Sequence, residues 1–328
     1  MVFGQAIFNM PHRVIALSSF LKTRIPLLVI FHRRTLLISG GSSGIGRSTA
    51  VMLASMGARV VFTGQTSAKT EQVAKEVRTI TGKEDVTGMT LNLGEFDDIK
   101  RFVQDFLRKE ERLDVLINNA AYLGPNDHVS NGMEKTFSVN HFGHFMLTLL
   151  LLKRLNECSP SRVVCVTSDS HRKSWIPLDD LSWLLDPMKT KNYDIYESYA
   201  RSKLGNVLFA EELNRRFAQV GVTSYSVHPG IIRTSLLRNW PGSNGRLLRG
   251  VAKLFFDTPE KGAQAVVHCA TQPGLERHAG NYFKGKRPKD TTTKSGDAER
   301  LWEFSTGVCF PAHQIDDAHV ITSPAELS

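Results

Sequence analysis

Residues 35–46 read Thr-Leu-Leu-Ile-Ser-Gly-Gly-Ser-Ser-Gly-Ile-Gly. The apolar run at the start of this stretch predicts a short, buried strand of a parallel sheet. Apolar residues then recur at helical spacing from Ile45 to Met56, and Gly57 ends the pattern. A strand, a glycine turn and a helix in this order are typical of a dinucleotide site, because the missing side chains let the backbone approach a pyrophosphate at the helix N-terminus. A glycine-rich turn without a ligand is the alternative.

Further along the chain, Tyr199 and Lys203 are four residues apart, which places them on one face of a predicted helix. A free tyrosine is a poor acid or base at neutral pH because its pKa is about 10, and a nearby ammonium favours its ionised form. The pair therefore predicts a proton donor beside a hydride carrier, as in a dehydrogenase or carbonyl reductase. An exposed helix pair without a catalytic role is the alternative.

The Gly-x-x-x-Gly-x-Gly spacing, taken together with Tyr199 and Lys203, resembles the short-chain dehydrogenase/reductase family over residues 35–310. Ser39 stands where that family usually has threonine. The resemblance implies a single α/β domain, built as a Rossmann-like, doubly wound parallel sheet that is flanked by helices on both faces. No linker, repeat or low-complexity segment interrupts this span of the sequence.

The resemblance also implies four catalytic positions, which are Asn140, Ser168, Tyr199 and Lys203. Tyr199 is the expected general acid in reduction and general base in oxidation, and Lys203 is expected to bind the nicotinamide ribose. Ser168 ends the predicted strand at 162–168 and is expected to donate a hydrogen bond to the substrate oxygen, so the predicted substrate contacts are Ser168 and Tyr199. In the family, the asparagine bends its helix and holds a water that connects the lysine to solvent.

Three side chains near Ser168 are further candidates. Thr167 and Ser170 carry hydroxyl groups and are alternatives to Ser168, and His171 is a weaker candidate for the substrate cleft.

The expected cofactor is NADP(H). Residues 59–63 are the predicted second strand, and no acidic residue follows it before Glu71. An NAD-specific site of this kind has an acidic residue there for the ribose 2′-hydroxyl, and its absence removes the group that would repel a 2′-phosphate. Arg47, Arg59 and Lys69 are nearby cations, although each is equally explained as a solvated surface charge. Gln65 stands where NADP-preferring members often have arginine.

Two further segments resemble cofactor contacts of the family, one at Leu91–Leu93 at the predicted end of the third strand and one at the Pro-Gly turn after the strand at 224–227. The complete set of expected cofactor-binding residues is Ser39, Gly40, Ser42, Ser43, Gly44, Ile45, Gly46, Gln65, Asn92, Leu93, Asn119, Ala120, Ala121, Tyr199, Lys203, Pro229, Gly230, Ile232 and Thr234.

The long interval between Ser168 and Tyr199, with Leu-Asp-Asp-Leu at 178–181, resembles the retinol-dehydrogenase-like branch of the family. That branch implies a lipophilic small-molecule substrate, such as a retinoid or a steroid. An apolar stripe within 231–256 predicts either a helix that packs on the core or a lid over such a substrate. A non-catalytic NADP(H)-binding scaffold on the same fold is the alternative function, and the four filled catalytic positions argue against it.

The charge, cysteine and histidine content of the chain bears on nucleic acid, disulfides and metals. The chain has 328 residues and a net charge of +9, but the excess charge follows no nucleic-acid-binding motif, so no nucleic acid partner is expected. The four cysteines show no paired spacing, which favours a reducing compartment. His141 and His144 lack a carboxylate or cysteine that would complete a zinc site, so they are interpreted as helix-packing residues and no metal is expected.

The two ends of the chain are interpreted separately from the 35–310 domain. Residues 1–34 are basic, contain no acidic residue and include two apolar runs that are each too short to span a bilayer. A membrane anchor with an endoplasmic reticulum location is favoured, and a mitochondrial targeting segment or a plain tail are the alternatives. Residues 311–328 form a C-terminal tail. A homodimer is typical of the family, whereas an anchored member can be a monomer.

Overall fold

The structure is a computed structural model that describes residues 31–180, 184, 193–232, 257–291, 293–311 and 321–327. The first 30 residues of the predicted leader, residues 233–256 of the predicted lid and residues 312–320 of the tail therefore lie outside the described residues. Within the described ranges, strands and helices alternate along the chain from residue 35 onward.

Eight strands in the described part of the chain form one sheet, in the order β3-β2-β1-β4-β5-β6-β7-β8. They are β1 (Thr35–Ile38), β2 (Arg59–Gly64), β3 (Val86–Thr90), β4 (Val115–Asn118), β5 (Ser161–Val166), β6 (Val222–His228), β7 (Tyr282–Lys284) and β8 (Arg287–Lys289). Neighbouring strands are parallel except for β7 and β8. Strands β2 and β3 are added to one side of β1, and β4 and the later strands to the other side. This change of side opens a crevice at the carboxyl ends of the strands.

Helices connect the strands. They are α1 (Gly44–Ser55), α2 (Ser67–Thr81), α3 (Phe96–Lys109), α4 (Gly143–Glu157), α5 (Ile195–Phe217), α6 (Pro259–Thr271) and α7 (Asp297–Cys309). A helical turn at Lys135–Phe137 and a π-helical segment at Ser138–Phe142 lead directly into α4. Short 3-10 turns lie at Asp169–Lys173, Ala218–Val220, Glu276–His278 and Pro324–Leu327.

The sheet is buried on both faces. Leu36 and Ile38 of β1 belong to a core cluster with residues of α1, α2 and α6, whereas Leu37 between them belongs to a second cluster with residues of α3, α4, α5 and α7. Successive side chains of a strand point to opposite faces, so a strand covered on both sides is apolar at every position. The predicted doubly wound α/β fold with helices on both faces is confirmed.

The third strand ends earlier than predicted. The sequence predicts its end at Leu91–Leu93, but β3 stops at Thr90. The N–H of Asn92 donates to the carboxylate of Asp98 at 2.7 Å, and the Asn92 side-chain oxygen accepts from the N–H of Gly94 at 3.1 Å. These local side-chain bonds turn the chain away from the sheet.

The last residues of the predicted leader pack on the amino-terminal side of the sheet. Phe31 is buried, and its N–H donates to the carbonyl of Met56 at 3.2 Å. Arg34 pairs at 3.2 Å with the buried carboxylate of Asp114, just before β4. Among the described residues, no helix is both long and apolar enough to cross a membrane.

The four cysteines are buried free thiols, at Cys158, Cys165, Cys269 and Cys309. Burial raises the pKa of Cys165 to about 12, so this thiol stays protonated and unreactive at neutral pH.

Candidate active site

The glycine turn joins β1 to α1 under close packing. Gly40 has a φ of +66°, and a Cβ added to it would lie 2.8 Å from the Cα of Ala120. A Cβ added to Gly46 would lie 2.5 Å from the carbonyl oxygen of Gly40. Both positions therefore need glycine. The first turn of α1 contains no acidic residue, so its backbone N–H groups can donate to a phosphate that the positive end of the helix dipole attracts.

The predicted cofactor residues of the loop occupy this turn and the start of α1: Ser42, Ser43, Gly44 and Ile45. The crowded glycines and the open helix end together fit the pyrophosphate of a dinucleotide.

Ser39 connects the ends of β1 and β4. It is fully buried, and its hydroxyl oxygen accepts from the backbone N–H groups of Asn119 and Ala120 at 2.9 and 3.0 Å. The Asn119 side chain donates in return to the carbonyls of Ser39 and Gly40 at 2.8 and 3.2 Å. The two chain segments expected to contact the cofactor are thus held together, and Ala121 follows them with its side chain exposed.

A cleft of about 550 Å³ lies beyond the ends of β2 and β3. Its walls are formed by Gln65, Thr66, Ser67, Thr90, Leu91, Asn92, Glu95, Asp97, Asp98 and Arg101. It contains Gln65 and Asn92, which are two of the expected cofactor-binding residues. Two of its carboxylates face cations, since Asp98 pairs with Arg101 at 3.0 Å and Asp97 with Lys100 at 3.9 Å.

The three cations considered for a 2′-phosphate differ in position. Arg59 begins β2 and pairs with Glu110, so it lies at the opposite end of the strand from this cleft and is excluded. Arg47 pairs with Glu76 at 2.8 Å. Lys69 is an exposed residue in the first turn of α2 and makes no ion pair with any residue in the described ranges.

Lys203 and Tyr199 lie one turn apart on α5. The Lys203 side chain is buried, and its ammonium donates to the carbonyl of Val166 at the end of β5 at 3.0 Å. The same ammonium lies 5.5 Å from the centre of the Tyr199 ring. Burial lowers the pKa of Lys203 to about 8, because the ammonium loses its hydration there.

Tyr199 is partly exposed beside this lysine. Burial raises the pKa of its phenol, and a hydrogen bond with Ser168 acts in the opposite direction by favouring the ionised form. The sequence predicts that Lys203 lowers this pKa. The ammonium lies against the face of the ring, and burial outweighs the opposing effect of Ser168, so the net shift of the Tyr199 pKa is upward.

Ser168 lies two residues beyond β5, which ends at Val166 rather than at Ser168 as predicted. Its backbone carbonyl accepts from the ring Nδ1 of His171 at 2.7 Å, so this buried histidine fixes the backbone of the serine. Thr167 donates its hydroxyl to the backbone carbonyl of Lys203 at 2.7 Å. That bond occupies Thr167, whereas the hydroxyl oxygen of Ser168 accepts from the N–H of Ser170 at 3.3 Å and lies near enough to Tyr199 to oppose the rise of the pKa of its phenol.

Asn140 lies in the π-helical segment before α4. Its side chain accepts from the N–H of Tyr122 at 2.7 Å and donates to the Tyr122 carbonyl and the Ser202 hydroxyl, both at 2.9 Å. The helix is π-helical at this asparagine, where the resemblance implies a bend. Asn140 therefore joins the segment after β4 to the helix that carries Tyr199 and Lys203.

The turn after β6 carries the remaining predicted residues. Gly230, with a φ of +105°, follows Pro229, and Ile232 forms a bridge with Asp257 before α6. Thr234 lies outside the described residues. The structure thus brings the described members of the predicted set to one edge of the sheet, beyond the carboxyl ends of β1 to β6.

Comparisons with known proteins agree with this geometry. A family model described as short chain dehydrogenase matches residues 34–178. Human retinol dehydrogenase 12 is 40% identical over 278 residues, which cover 83% of this chain and 85% of that protein. Human retinol dehydrogenase 11 is 39% identical over 276 residues, with 83% and 84% covered. The chain belongs to the short-chain dehydrogenase/reductase family.

Within the short-chain dehydrogenase/reductase family, the relatives place the chain in the retinol-dehydrogenase-like branch, and it is an oxidoreductase that acts between alcohols and carbonyls. An uncharacterized protein from Mycobacterium paratuberculosis is similar in structure, with a TM-score of 0.65 and 30% identity over 85% of this chain and 94% of that chain. A short chain dehydrogenase from Escherichia coli, solved with NADPH, shares the fold with a TM-score of 0.60 at 22% identity, over 80% of this chain and all of that one.

Sequence reasoning misses several supporting residues of this oxidoreductase. Tyr122 and Ser202 hold the Asn140 side chain. His171, which the sequence offers as a candidate for the substrate cleft, bonds to the carbonyl of Ser168. His144 does more than pack, because it bonds to Ser39 at 2.8 Å. Of the missed residues, only Ser202 could have been identified from the sequence, because it lies next to Lys203 on the same helix. The other contacts join distant parts of the chain and leave no periodic pattern.

Proposed function

We propose that this chain is an NADP-dependent oxidoreductase that interconverts an alcohol and a carbonyl on a lipophilic substrate, with Tyr199 as the acid and base. One observation carries the proposal: the Tyr199 phenol lies against the buried ammonium of Lys203, one helical turn away, and close enough to Ser168 for that hydroxyl to favour the ionised phenol. This group stands at the same edge of the sheet as the glycine turn, where a dinucleotide fits.

The roles follow from the chemistry of the side chains. When bound, NADP(H) supplies or accepts the hydride. In reduction, Ser168 donates a hydrogen bond to the substrate oxygen as negative charge develops there, and Tyr199 donates its proton to that oxygen. Because burial raises the pKa of Tyr199, the phenol keeps its proton until this step. The ammonium of Lys203 then stabilises the phenolate, and oxidation uses the same groups in reverse.

The preference for NADP(H) over NAD(H) is supported by the cleft beyond β2. No acidic residue lies between Gly64 and Glu71, so the part of the cleft formed by Gln65, Thr66 and Ser67 has no carboxylate that would repel a 2′-phosphate. The carboxylates of the cleft come from Glu95, Asp97 and Asp98 on its other wall, where Asp98 pairs with Arg101. The exposed Lys69 adds a positive charge at the start of the same helix.

A lipophilic substrate is supported by the relatives, which are named retinol dehydrogenases, and by three exposed apolar side chains. Trp175, Tyr196 and Ile231 are 62%, 46% and 64% exposed, and each lies within seven residues of a proposed site residue. Single exposed apolar residues are common, but three of them near site residues along the chain support an apolar substrate.

Location and assembly belong to the same proposal. The basic, apolar composition of residues 1–34 supports membrane association, with the endoplasmic reticulum favoured and the mitochondrion as the alternative. A homodimer is proposed from the family alone.

The test follows NADPH absorbance in the full-length protein with all-trans-retinal, steroid ketones and medium-chain aldehydes, alongside Tyr199→Phe. We expect turnover in the wild type, loss of at least about a hundredfold in the variant, and little change in its NADPH affinity, because only the proton donor is removed. Fluorescence titration with NADPH and NADH provides the cofactor test, and an equal affinity for the two would overturn the NADP assignment. Tight NADPH binding without turnover on any substrate would indicate a scaffold.

A further inference from the structure

A chain of buried hydrogen bonds connects the glycine turn to Asn140 through His144. The hydroxyl of Ser39 lies 2.8 Å from the ring Nε2 of His144, and the ring Nδ1 lies 2.9 Å from the backbone carbonyl oxygen of Asn140. All three residues are almost completely buried. The imidazole therefore spans the distance between the end of β1 and the π-helical segment.

The direction of each bond follows from the donors around Ser39. Its oxygen already accepts two hydrogen bonds, from the N–H groups of Asn119 and Ala120. The single hydroxyl hydrogen is therefore free to point to Nε2 of His144, which must accept it. The proton of a neutral imidazole then sits on Nδ1 and is donated to the Asn140 carbonyl.

The surroundings keep the ring neutral. Burial lowers the pKa of His144 to about 4, and the nearby Lys203 ammonium acts in the same direction, although the bond to the Asn140 carbonyl opposes both. A neutral ring accepts at one nitrogen and donates at the other, and both roles are filled here.

We propose that His144 is a positioning residue that couples the cofactor loop to the active-site asparagine, acting as a neutral Nδ1–H imidazole between Ser39 and Asn140. The inference rests on the proposed function, since it assigns His144 to that site. Ser39 fixes the turn that would hold the pyrophosphate, and Asn140 fixes the helix of Tyr199 and Lys203 through Ser202. A change at His144 should therefore affect cofactor binding and proton transfer together.

His141 offers a matched control one turn earlier. It is as buried as His144, and its ring Nε2 bonds to the Ser305 hydroxyl at 2.8 Å. Its ring packs among aromatic side chains, with centroids 5.0 Å from Phe137 and 6.0 Å from Phe145. The bond to Ser305 leads to α7 and away from the glycine turn, so His141 should matter for stability alone.

The first experiment uses full-length His144→Leu, His144→Gln and His141→Leu, with NADPH affinity from fluorescence titration and kcat from the retinal assay. Leucine leaves the Ser39 hydroxyl and the Asn140 carbonyl without their partner, so we expect about tenfold weaker NADPH binding and at least about tenfold lower kcat. Glutamine can accept and donate at once, and should restore both values to within about threefold of the wild type. His141→Leu should leave NADPH affinity within about twofold.

The second experiment needs neither cofactor nor substrate. Nitrogen-15 NMR of the imidazole rings should show an Nδ1–H tautomer for the signal that disappears in His144→Gln. A double-mutant cycle between Ser39→Ala and His144→Leu, measured by urea unfolding, should show clear coupling.

An Nε2–H tautomer, additive unfolding energies or equal effects of the two leucine variants on NADPH affinity would each overturn the inference. If the wild type fails to bind NADPH, the proposed cofactor is wrong, and the tautomer and the cycle still decide the role of His144.

Discussion

Replacing Lys203 with methionine should make the protein more stable at neutral pH while it abolishes turnover. The pKa of this buried lysine is lowered from 10.5 to about 8, so keeping it charged at pH 7 costs roughly 3 kcal/mol. Methionine has a similar length without the charge. The loss of the bond to the Val166 carbonyl subtracts about 1 kcal/mol, and that carbonyl keeps Asn206 as a donor at 3.4 Å. We therefore expect a net gain of about 2 kcal/mol at pH 7.

The gain should depend on pH in a defined direction. The folded-state pKa lies below the unfolded value, so the unfolded chain binds more protons between about pH 8 and 10.5, and the wild type becomes more stable as pH rises through that window. The advantage of Lys203→Met should therefore shrink above pH 8 and disappear by about pH 10.5.

The assay is urea unfolding of the full-length protein at pH 7, 8.5 and 10, followed by circular dichroism. Lys153→Met is the control, because Lys153 is an exposed residue of α4, and it should change the unfolding free energy by less than about 0.5 kcal/mol at every pH. A Lys203→Met protein that is less stable than the wild type at pH 7, or whose difference from it is the same at all three pH values, would refute the reasoning.

Two other changes have expected outcomes. Gly41→Ala should destabilise the protein by at least about 2 kcal/mol, because the added Cβ would overlap the buried Phe62 side chain. The Cβ of Gly82→Ala would meet no atom within 4 Å, so this variant should cost only about 1 kcal/mol, for its positive φ. Urea unfolding of the two variants separates the cost of crowding from that of backbone strain. Asp169→Asn should reduce the loss of unfolding free energy below about pH 4, measured by urea unfolding at a series of acidic pH values. Burial raises the pKa of Asp169, but bonds from Lys284 and Tyr282 outweigh it and hold the pKa at about 2, so this stability is present above about pH 4 and is lost as the pH falls through about 2. An unchanged loss of unfolding free energy in that range would contradict the assignment.

The fold could be predicted where its signals are local. The strand, turn and helix at 35–57 carry their own apolar run, glycines and helical period, and the structure reproduces them. The hairpin of β7 and β8 has three residues in each strand, which is too short for any period to be visible. The end of β3 is misplaced because Leu91–Leu93 alternates like a strand, while Asp98 binds the Asn92 backbone from the next helix.

The site could be predicted where residue type and spacing carry chemistry. A phenol and an ammonium one turn apart and a hydroxyl after a strand identify Tyr199, Lys203 and Ser168. The bond between Ser39 and His144 spans 105 positions and depends on how α4 packs against β1, so the sequence indicates only a buried histidine there. Side chains that support others through long-range contacts need the structure to be found.

The sheet ends at β8, whose residues Arg287, Pro288 and Lys289 are all exposed. The proline has no N–H to offer to a further strand, and the two flanking positive charges would face the same charges on a second copy. This end of the sheet is thereby protected against the strand-by-strand growth that leads to aggregates. A dimer of this oxidoreductase is therefore not expected to form by joining two sheets at β8.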